Sequence, residues 1–308
     1  MNRKRLDGLI VVDKPKDITS ARVVAIVKDI LKADKAGHAG TLDPFAEGVL
    51  VCCLNRATKL ARFLLHGNKK YMAVLKLGTA TDTQDFTGSV ISEGNALELA
   101  ENEIRAGFKR FEGTIDQQPP AYSALKYRGE PLYKLARRGK PIQKPPRRVH
   151  ISQISIVAIE LPLVHFEVTC SAGTYVRTLC ADIGKVLKCG AHLYALKRTE
   201  SSGFGLDQAV SLSALEALAA SGKAPQRVIP MANTLPDIPM VVVDDEMANK
   251  LRHGQPIKAA DFSRPPHGGH RRLPESFIKV VDVDHELIAI LDHTNGQDKL
   301  DYCCVFPN

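Results

Sequence analysis

The sequence of 308 residues predicts an α+β fold followed by a small β-rich domain at its carboxyl end. Over the first 220 residues, apolar runs typical of strands are mixed with amphipathic helical patterns but do not alternate as regular β-α-β units. The stretch 222–240, "GKAPQRVIPMANTLPDIPM", then has four prolines and little periodicity, which is typical of a domain junction. Short strand-like runs follow it. We therefore expect one domain at 1–235 and a second at 236–308.

The periodicity of the apolar residues places the individual elements of the first domain. "LIVVDKP" is a short buried strand, and "TSARVVAIVKDIL" is a helix that Ser20 can cap. The strand "GVLVCCL", the helix "ATKLARFLL" and the strand "KKYMAVLKLG", which opens near Tyr71, come next. The polar loop "TATDTQDFTG" leads to the amphipathic helix "ALELAENEIRAGFKRF" and, further on, to the β-rich runs "VHISQISIVAIE" and "HFEVTC".

A second amphipathic helix is predicted in "GTYVRTLCADIGKVLKCG", with Thr174 as its cap and Gly190 at its end. Arg177 then lies in the first turn, where the helix dipole disfavours a cation. We expect an anionic partner for it, and Asp43 is the candidate. The alternative is an arginine that faces solvent.

Asp43 stands in the glycine-flanked loop "GHAGTLDPFAEG", residues 37–48. Pro44 biases Asp43 toward an extended backbone, and the glycines permit close approaches of the chain. The loop therefore holds a restrained carboxylate, with His38 five residues upstream. An ordinary Asp-Pro turn is the alternative on this stretch alone.

The positive charge of the chain is concentrated in one segment. The net charge is +8, and residues 126–148 contain nine lysines and arginines but one acid, Glu130. Tyr122, Tyr127 and Tyr133 lie in or beside this segment, so cations that can neutralise phosphates alternate with rings that can stack on bases. This pattern favours binding of RNA or DNA over a merely solvated basic face.

Composition bears on two further properties, the location of the protein and its metal content. An apolar run of five residues near the start, "GLIVV", is too short for a membrane span or a signal peptide, so we expect a soluble, cytoplasmic protein without a membrane partner. The seven cysteines lack the spacing of a zinc site, and we expect reduced thiols and no metal. His267 and His270 fall in a Pro/Gly-rich loop, 263–276, that we expect to be mobile.

Six motifs in the same order resemble those of the bacterial TruB-type tRNA pseudouridine-55 synthases, and the resemblance covers essentially the whole chain. The motifs are "DGLIVVDKPKDITS", "GHAGTLDPFAEGVLVCCLNRATKL", "KKYMAVLKLGTATDTQDFTG", "PPAYSALKYRGEPLYKLARRG", "SAGTYVRTLCADIGKVLKCGAHLYALKRTESSGF" and a terminal region similar to a PUA domain. The resemblance implies a mixed-sheet catalytic domain and a PUA-like RNA-binding domain. Asp17 departs from the pattern, because the family has glycine there, and this bears on the local turn.

The resemblance also implies roles for residues of this chain. Asp43 corresponds to the catalytic aspartate, and Arg177 to the arginine that pairs with it. The positions that contact or line the site of the target nucleotide are His38, Tyr71, Tyr175 and Leu196. The segment 119–148 matches an insertion that closes over the T-arm of tRNA. Asp85 is treated as a turn residue.

The activity implied by the resemblance is isomerisation of uridine to pseudouridine at position 55 of the tRNA T-arm loop, with the target base flipped out. It needs no cofactor and no guide RNA, and we expect a monomer. Whether Asp43 attacks the ribose, attacks the base or abstracts a proton stays open. The alternatives are a non-catalytic protein that binds and folds tRNA, and a subunit that depends on a guide RNA.

Overall fold

A computed structural model describes residues 6–262, 277–293 and 299–307, and it confirms the α+β class. The loop 263–276 that we expected to be mobile, with His267 and His270, lies outside the described residues.

The helices and strands are numbered in chain order. The helices are α1 (Ser20–Leu31), α2 (Ala61–Leu64), α3 (Glu101–Lys109), α4 (Leu132–Arg137), α5 (Val176–Val186), α6 (Leu212–Ala220) and α7 (Asp245–Arg252). The strands are β1 (Gly8–Lys14), β2 (Ala36–His38), β3 (Glu47–Leu54), β4 (Lys69–Leu77), β5 (Thr79–Thr81), β6 (Val90–Glu93), β7 (Gly113–Gln117), β8 (Lys126–Tyr127), β9 (Glu130–Pro131), β10 (Arg147–Glu160), β11 (Leu163–Cys170), β12 (Ala191–Ser201), β13 (Phe204–Gly205), β14 (Val210–Ser211), β15 (Ile229–Pro230), β16 (Met240–Val242), β17 (Phe277–Val281), β18 (Leu287–Asp292) and β19 (Asp301–Val305).

A large mixed sheet forms the centre of the first domain. Its strand order is β14-β1-β3-β12-β4-β11-β10-β7. In addition, β2 pairs with β3, β13 with β12 and β15 with β1. Most neighbours are antiparallel, whereas β1 with β14 and β12 with β3 are parallel. β12 therefore joins β1 and β3 to the antiparallel strands β4, β11 and β10.

The two halves of the sheet differ in whether one or both faces are buried, and their sequences show the same difference. The runs "GLIVV" and "GVLVCC" are apolar without alternation because β1 and β3 are covered on both faces, in part by α1 and α6. In β4 the residues alternate instead. Tyr71, Ala73 and Leu75 pack into the core beneath α3 and α5, while Met72 is exposed on the other face.

Several predicted helix ends were wrong, for local reasons. Thr19, not Ser20, caps α1 by accepting a hydrogen bond from the Arg22 amide at 3.1 Å. The hydroxyl of Thr174 donates to the Ser171 carbonyl, so the N-cap of α5 is Tyr175, without a side-chain cap. The first four residues of the helix predicted over "ATKLARFLL" belong to a 3-10 helix, Asn55–Leu60, and α2 is only four residues long.

Asp17, which replaces the glycine of the family pattern, has a left-handed backbone conformation. Its φ of +63° lies in the left-handed region, where glycine is unstrained and aspartate is tolerated better than most residues. Asp17 therefore adopts a backbone conformation that glycine, the residue of the family pattern, adopts without strain.

The small β domain predicted at the carboxyl end is confirmed. Its sheet has the order β16-β17-β18-β19, and α7 packs against it. One hydrophobic cluster crosses from this sheet to the first domain: Val281, Leu287 and Phe306 pack with Leu60 and Leu64. The two parts of the chain therefore share buried apolar surface.

We propose that the chain divides after residue 235 and that the first domain depends on this shared cluster. A chain ended at residue 235 should fold with a lower thermal midpoint than the full chain, because each fully buried aliphatic or aromatic side chain it loses contributes about 1.5–3 kcal/mol. In the full chain, Phe306→Ala should lower the midpoint, whereas Val283→Ala at an exposed turn should not. Thermal unfolding followed by circular dichroism measures the midpoints of the truncated chain and of the two point variants. An unchanged midpoint after truncation would contradict the proposal.

Candidate active site

The loop that contains Asp43 is anchored by a buried serine. Ser20, at the start of α1, accepts a hydrogen bond from the Leu42 amide at 2.9 Å and donates to the Leu42 carbonyl at 3.1 Å. Thr19 takes the capping role, and this leaves the Ser20 hydroxyl free for the loop. The backbone next to Asp43 is thus fixed by two hydrogen bonds to a single side chain.

Two buried cations hold the same loop from below. Lys14 donates to the carbonyls of Pro44 and Ala46 at 3.0 and 2.6 Å, and Arg198 donates to that of Gly40 at 3.0 Å. Both side chains are almost completely buried, and burial lowers the pKa of Lys14 to about 8. Because their hydrogen-bond acceptors are backbone carbonyls, they fix the chain on both sides of Asp43.

Arg177 forms the ion pair that the helix-dipole pattern suggested. Its Nε lies 2.8 Å from Asp43 Oδ2, and its Nη2 lies 3.2 Å from Asp43 Oδ1. A second carboxylate, Asp85, lies 3.5 Å from Nη1. The carbonyls of Thr83 and Tyr122 accept the remaining hydrogen bonds, at 3.0 and 2.9 Å. One buried guanidinium therefore binds two acids and two carbonyls.

Asp85 has both a turn role and a place in the site. Its Oδ1 accepts hydrogen bonds from the hydroxyls of Thr83 and Thr87 and from the Thr87 amide, which is the turn geometry expected from "TDTQDF". Its Oδ2 faces Arg177. The prediction of Asp85 as a turn residue alone missed its ion pair with Arg177. The sequence does not show which loop lies against the start of α5, where Arg177 stands.

The environment of Asp43 combines opposing electrostatic effects. Burial raises the pKa of its carboxyl, Arg177 opposes this shift, and the negative charge of Asp85 adds to it. Arg177 is therefore the strongest of the groups that favour an ionised Asp43, and Lys14 is a weaker one. Without Arg177, the same carboxylate would be buried beside another acid.

A cavity of about 320 Å³ opens beside this ion pair. Five of the predicted site residues line it, namely Asp43, Tyr71, Tyr175, Arg177 and Leu196. Its volume is within the range of small-molecule pockets. Sequence reasoning missed further residues of the wall, among them Lys69, Ser123, Arg147 and Arg198.

His38, the remaining predicted residue, does not line the cavity. It ends β2, where its partner across the sheet is Cys52, and its Nδ1 is buried without a hydrogen-bond partner. Burial lowers the pKa of the imidazole, and the charge of Arg198 adds to this shift. The ring thus lies near the Asp43 loop as a neutral group at neutral pH.

The two tyrosines of the cavity are held by different contacts. Tyr71 lies on β4 opposite Arg198, and burial raises the pKa of its phenol. Tyr175 is held through its backbone, since the buried Gln117 side chain accepts from its amide at 2.7 Å and donates to its carbonyl at 3.0 Å. The guanidinium of Arg147 lies 4.8 Å from the centre of the Tyr175 ring, in cation-π contact.

The basic segment predicted to bind nucleic acid rises beside the cavity. It contains β8, β9 and α4, and Lys134, Arg137 and Arg138 are exposed on it. Arg128 and Lys144 both lie within 5.5 Å of the centre of the Tyr127 ring. The interleaving of cations and rings seen in the sequence is therefore present in space.

Metal-binding clusters and membrane-spanning helices are both absent from the described residues. No group of three or more His, Cys, Asp or Glu side chains in that part of the chain is arranged to hold a metal ion. No helix within it is long and apolar enough to cross a membrane.

The anchoring role of Ser20 can be separated from helix capping by its neighbour. Ser20→Ala should speed amide hydrogen exchange of Leu42 by roughly tenfold, because the amide loses a buried hydrogen bond that contributes on the order of 1 kcal/mol. Thr19→Ala should lower the stability of α1 by about 1 kcal/mol and leave that amide unchanged. Amide hydrogen exchange followed by NMR measures both variants. Equal acceleration of exchange at Leu42 in the two variants would contradict the anchoring role of Ser20.

Comparison with known proteins finds relatives over most of the chain. A model described as the N-terminal domain of the TruB family pseudouridylate synthases matches residues 28–176, and one described as the tRNA pseudouridylate synthase B C-terminal domain matches residues 177–235. A protein named tRNA pseudouridine synthase B from Geobacter sulfurreducens is 40% identical over 291 residues, or 94% of this chain and 95% of that protein. Its namesake from Syntrophotalea carbinolica is 43% identical over 254 residues, or 82% and 83%.

Solved structures show the same architecture. A chain in the crystal structure of a Cbf5-Nop10-Gar1 complex is 28% identical, with a TM-score of 0.73 over 98% of this chain and 86% of that one. A chain in an H/ACA RNP bound to a substrate RNA containing 2'-deoxyuridine is 26% identical, with a TM-score of 0.72 and the same coverage. From the ordered motifs, the shared fold and these identities, the chain belongs to the TruB family of pseudouridylate synthases.

Proposed function

We propose that this chain isomerises uridine to pseudouridine at position 55 in the T-arm loop of tRNA, with Asp43 as the essential carboxylate. The observation that carries this function is the Asp43–Arg177 ion pair at the wall of a cavity, on a loop held by Ser20, Lys14 and Arg198. Family membership supplies the reaction and the relatives' names supply tRNA as the substrate.

The reaction requires a carboxylate and little else. The bond between N1 and C1' of the ribose breaks, the uracil turns, and a bond from C5 to C1' forms. C5 loses a proton and N1 gains one, so no electrons are exchanged with another molecule and no cofactor is consumed. Asp43 can act as nucleophile or as base, and we assign to it the essential negative charge at the reacting centre.

The walls of the cavity fit a nucleotide that has left its stack. An enzyme that acts on a base within an ordered loop must extrude it first. The ring of Tyr71 and the side chains of Tyr175 and Leu196 then offer apolar contact to the base. We place His38 beside this cavity, where it braces the RNA from which the base has left.

RNA affinity comes, in this proposal, from the chain itself. The insertion 119–148 supplies exposed cations beside the cavity, which supports activity without a guide RNA. We expect the chain to act as a monomer. All seven cysteines carry free thiols, as in the cytoplasm. A non-catalytic tRNA-folding protein would not need the Asp43–Arg177 pair, because the burial of the Arg177 guanidinium costs free energy.

The direct test is to incubate the purified chain with a tRNA transcript and no other RNA, and then to map pseudouridine. Pseudouridine at position 55 is expected. Binding without any pseudouridine would favour the tRNA-folding alternative, and pseudouridine that forms only after a guide RNA is added would favour the guide-dependent one.

The role of Asp43 is tested by Asp43→Asn, which keeps the size of the side chain and removes its charge. Single-turnover pseudouridine formation with saturating enzyme should fall by several orders of magnitude, while tRNA binding stays within a few-fold. Arg177→Lys should be milder but damaging, because a point charge replaces a planar fork that binds two acids and two carbonyls. A near wild-type rate for Asp43→Asn would reduce Asp43 to a turn residue.

The role of the insertion is tested by replacing Lys134, Arg137 and Arg138 together with glutamine. Affinity for tRNA should fall, and the slope of log affinity against log salt should become less steep by about 0.7–0.9 for each phosphate that is no longer neutralised. Filter binding at several salt concentrations measures both. A matched removal of three exposed cations from the region of α1, at Arg22, Lys28 and Lys35, should change the slope less. Equal slopes for the two triple variants would show that the insertion is merely a solvated face.

A further inference from the structure

The wall of the cavity contains a buried hydroxyl without a partner. Ser123 is 3% exposed and lines the cavity, and its Oγ has no hydrogen-bond partner. Buried polar groups are almost always hydrogen-bonded, and leaving one unpaired costs about 1–3 kcal/mol. A hydroxyl in this position therefore suggests a partner that arrives with the substrate.

The backbone on both sides of this hydroxyl is fixed. The carbonyl of the preceding residue, Tyr122, accepts a hydrogen bond from Arg177 at 2.9 Å, and the carbonyl of Ser123 itself accepts from the Tyr133 amide at 3.0 Å. The segment is thus tied to the arginine that binds Asp43 and to the start of α4. Ser123 is held in the wall rather than left there by a loose loop.

Several other polar side chains of this wall already have partners. Asp43 binds Arg177, and Lys69 donates to two backbone carbonyls, those of Leu65 and Gly67. Arg147 also has an unpaired Nε, but its guanidinium donates to a carbonyl and covers the ring of Tyr175. Arg177 Nε also lacks a hydrogen bond but lies 2.8 Å from Asp43 Oδ2 in the ion pair, so we assign the hydroxyl of Ser123 to a ligand.

We propose that Ser123 Oγ hydrogen-bonds the polar edge of the flipped uracil, formed by O2, N3–H and O4. This inference rests on the proposed function and adds a contact from the insertion to the reacting base. The half-turn that exchanges N1 for C5 runs about the axis through N3 and C6, so it leaves N3–H in place and exchanges O2 with O4. A hydroxyl both donates and accepts, so the same group can bind this edge before and after the turn.

The test compares Ser123→Ala with the wild-type chain under single-turnover conditions, with uridine, 2-thiouridine, 4-thiouridine or 3-methyluridine at the target position of the tRNA. With uridine, we expect a rate loss of about ten- to a hundredfold with tRNA affinity within threefold, as for the loss of one oriented hydrogen bond. The loss should shrink for the analogue whose altered atom is the partner, because that hydrogen bond is already weakened in the wild-type complex. Ser123→Thr, which keeps the hydroxyl, should restore most of the rate.

Ser201 provides a matched control, because its Oγ is also buried and unpaired and Ser201 does not line the cavity. Ser201→Ala should leave the rate unchanged for every substrate. A wild-type rate in Ser123→Ala, or a loss of the same factor with all four substrates, would overturn the contact to the base. Absence of pseudouridine in the wild-type reaction with uridine would instead overturn the proposed function, and this inference with it.

Discussion

The site depends on one buried guanidinium. The side chain of Arg177 is 5% exposed, and a cation buried so deeply must be paired and hydrogen-bonded to be tolerated. Its partners are the carboxylates of Asp43 and Asp85 and the carbonyls of Thr83 and Tyr122. These groups come from three loops that are distant in sequence, and they meet at the start of α5. The need to satisfy one side chain thus sets the relative positions of the Asp43 carboxylate, the turn after β5 and the insertion.

Further buried cations give the site its electrostatic character. Lys14, Lys69 and Arg198 bind backbone carbonyls, which satisfy their donors without cancelling their charge. The positive charge of Lys14 accordingly favours the ionised form of Asp43, and that of Arg198 disfavours a protonated His38. A surplus of positive charge below a cavity also suits a phosphodiester backbone. The same side chains therefore fix the loop and favour an anion above it.

The sequence was sufficient for the parts of the site that local rules govern. The restraint on Asp43 follows from Pro44, and the demand of Arg177 for an anion follows from the helix dipole. The central strand β12 was not predicted, because "AHLYALKRTES" has two bulges and a buried arginine, Arg198, so it lacks simple alternation. Asp85 was placed in its turn but not in the site. Such contacts depend on which loops meet, and that is set by strand order rather than by neighbours in the chain.

The contact between Arg177 and Tyr122 joins the basic insertion to the Asp43–Arg177 ion pair. The basic insertion begins beside Gln117, whose side chain fixes the backbone of Tyr175 at the start of α5, and it returns through Arg147, which covers the ring of Tyr175. Both ends of the insertion are thus fastened to the residues before Arg177, while Lys134, Arg137 and Arg138 are exposed to solvent. The same segment supplies the Tyr122 carbonyl, which accepts a hydrogen bond from Arg177. Because Arg177 is the strongest of the groups that favour an ionised Asp43, the insertion and the Asp43 carboxylate belong to one hydrogen-bonded network.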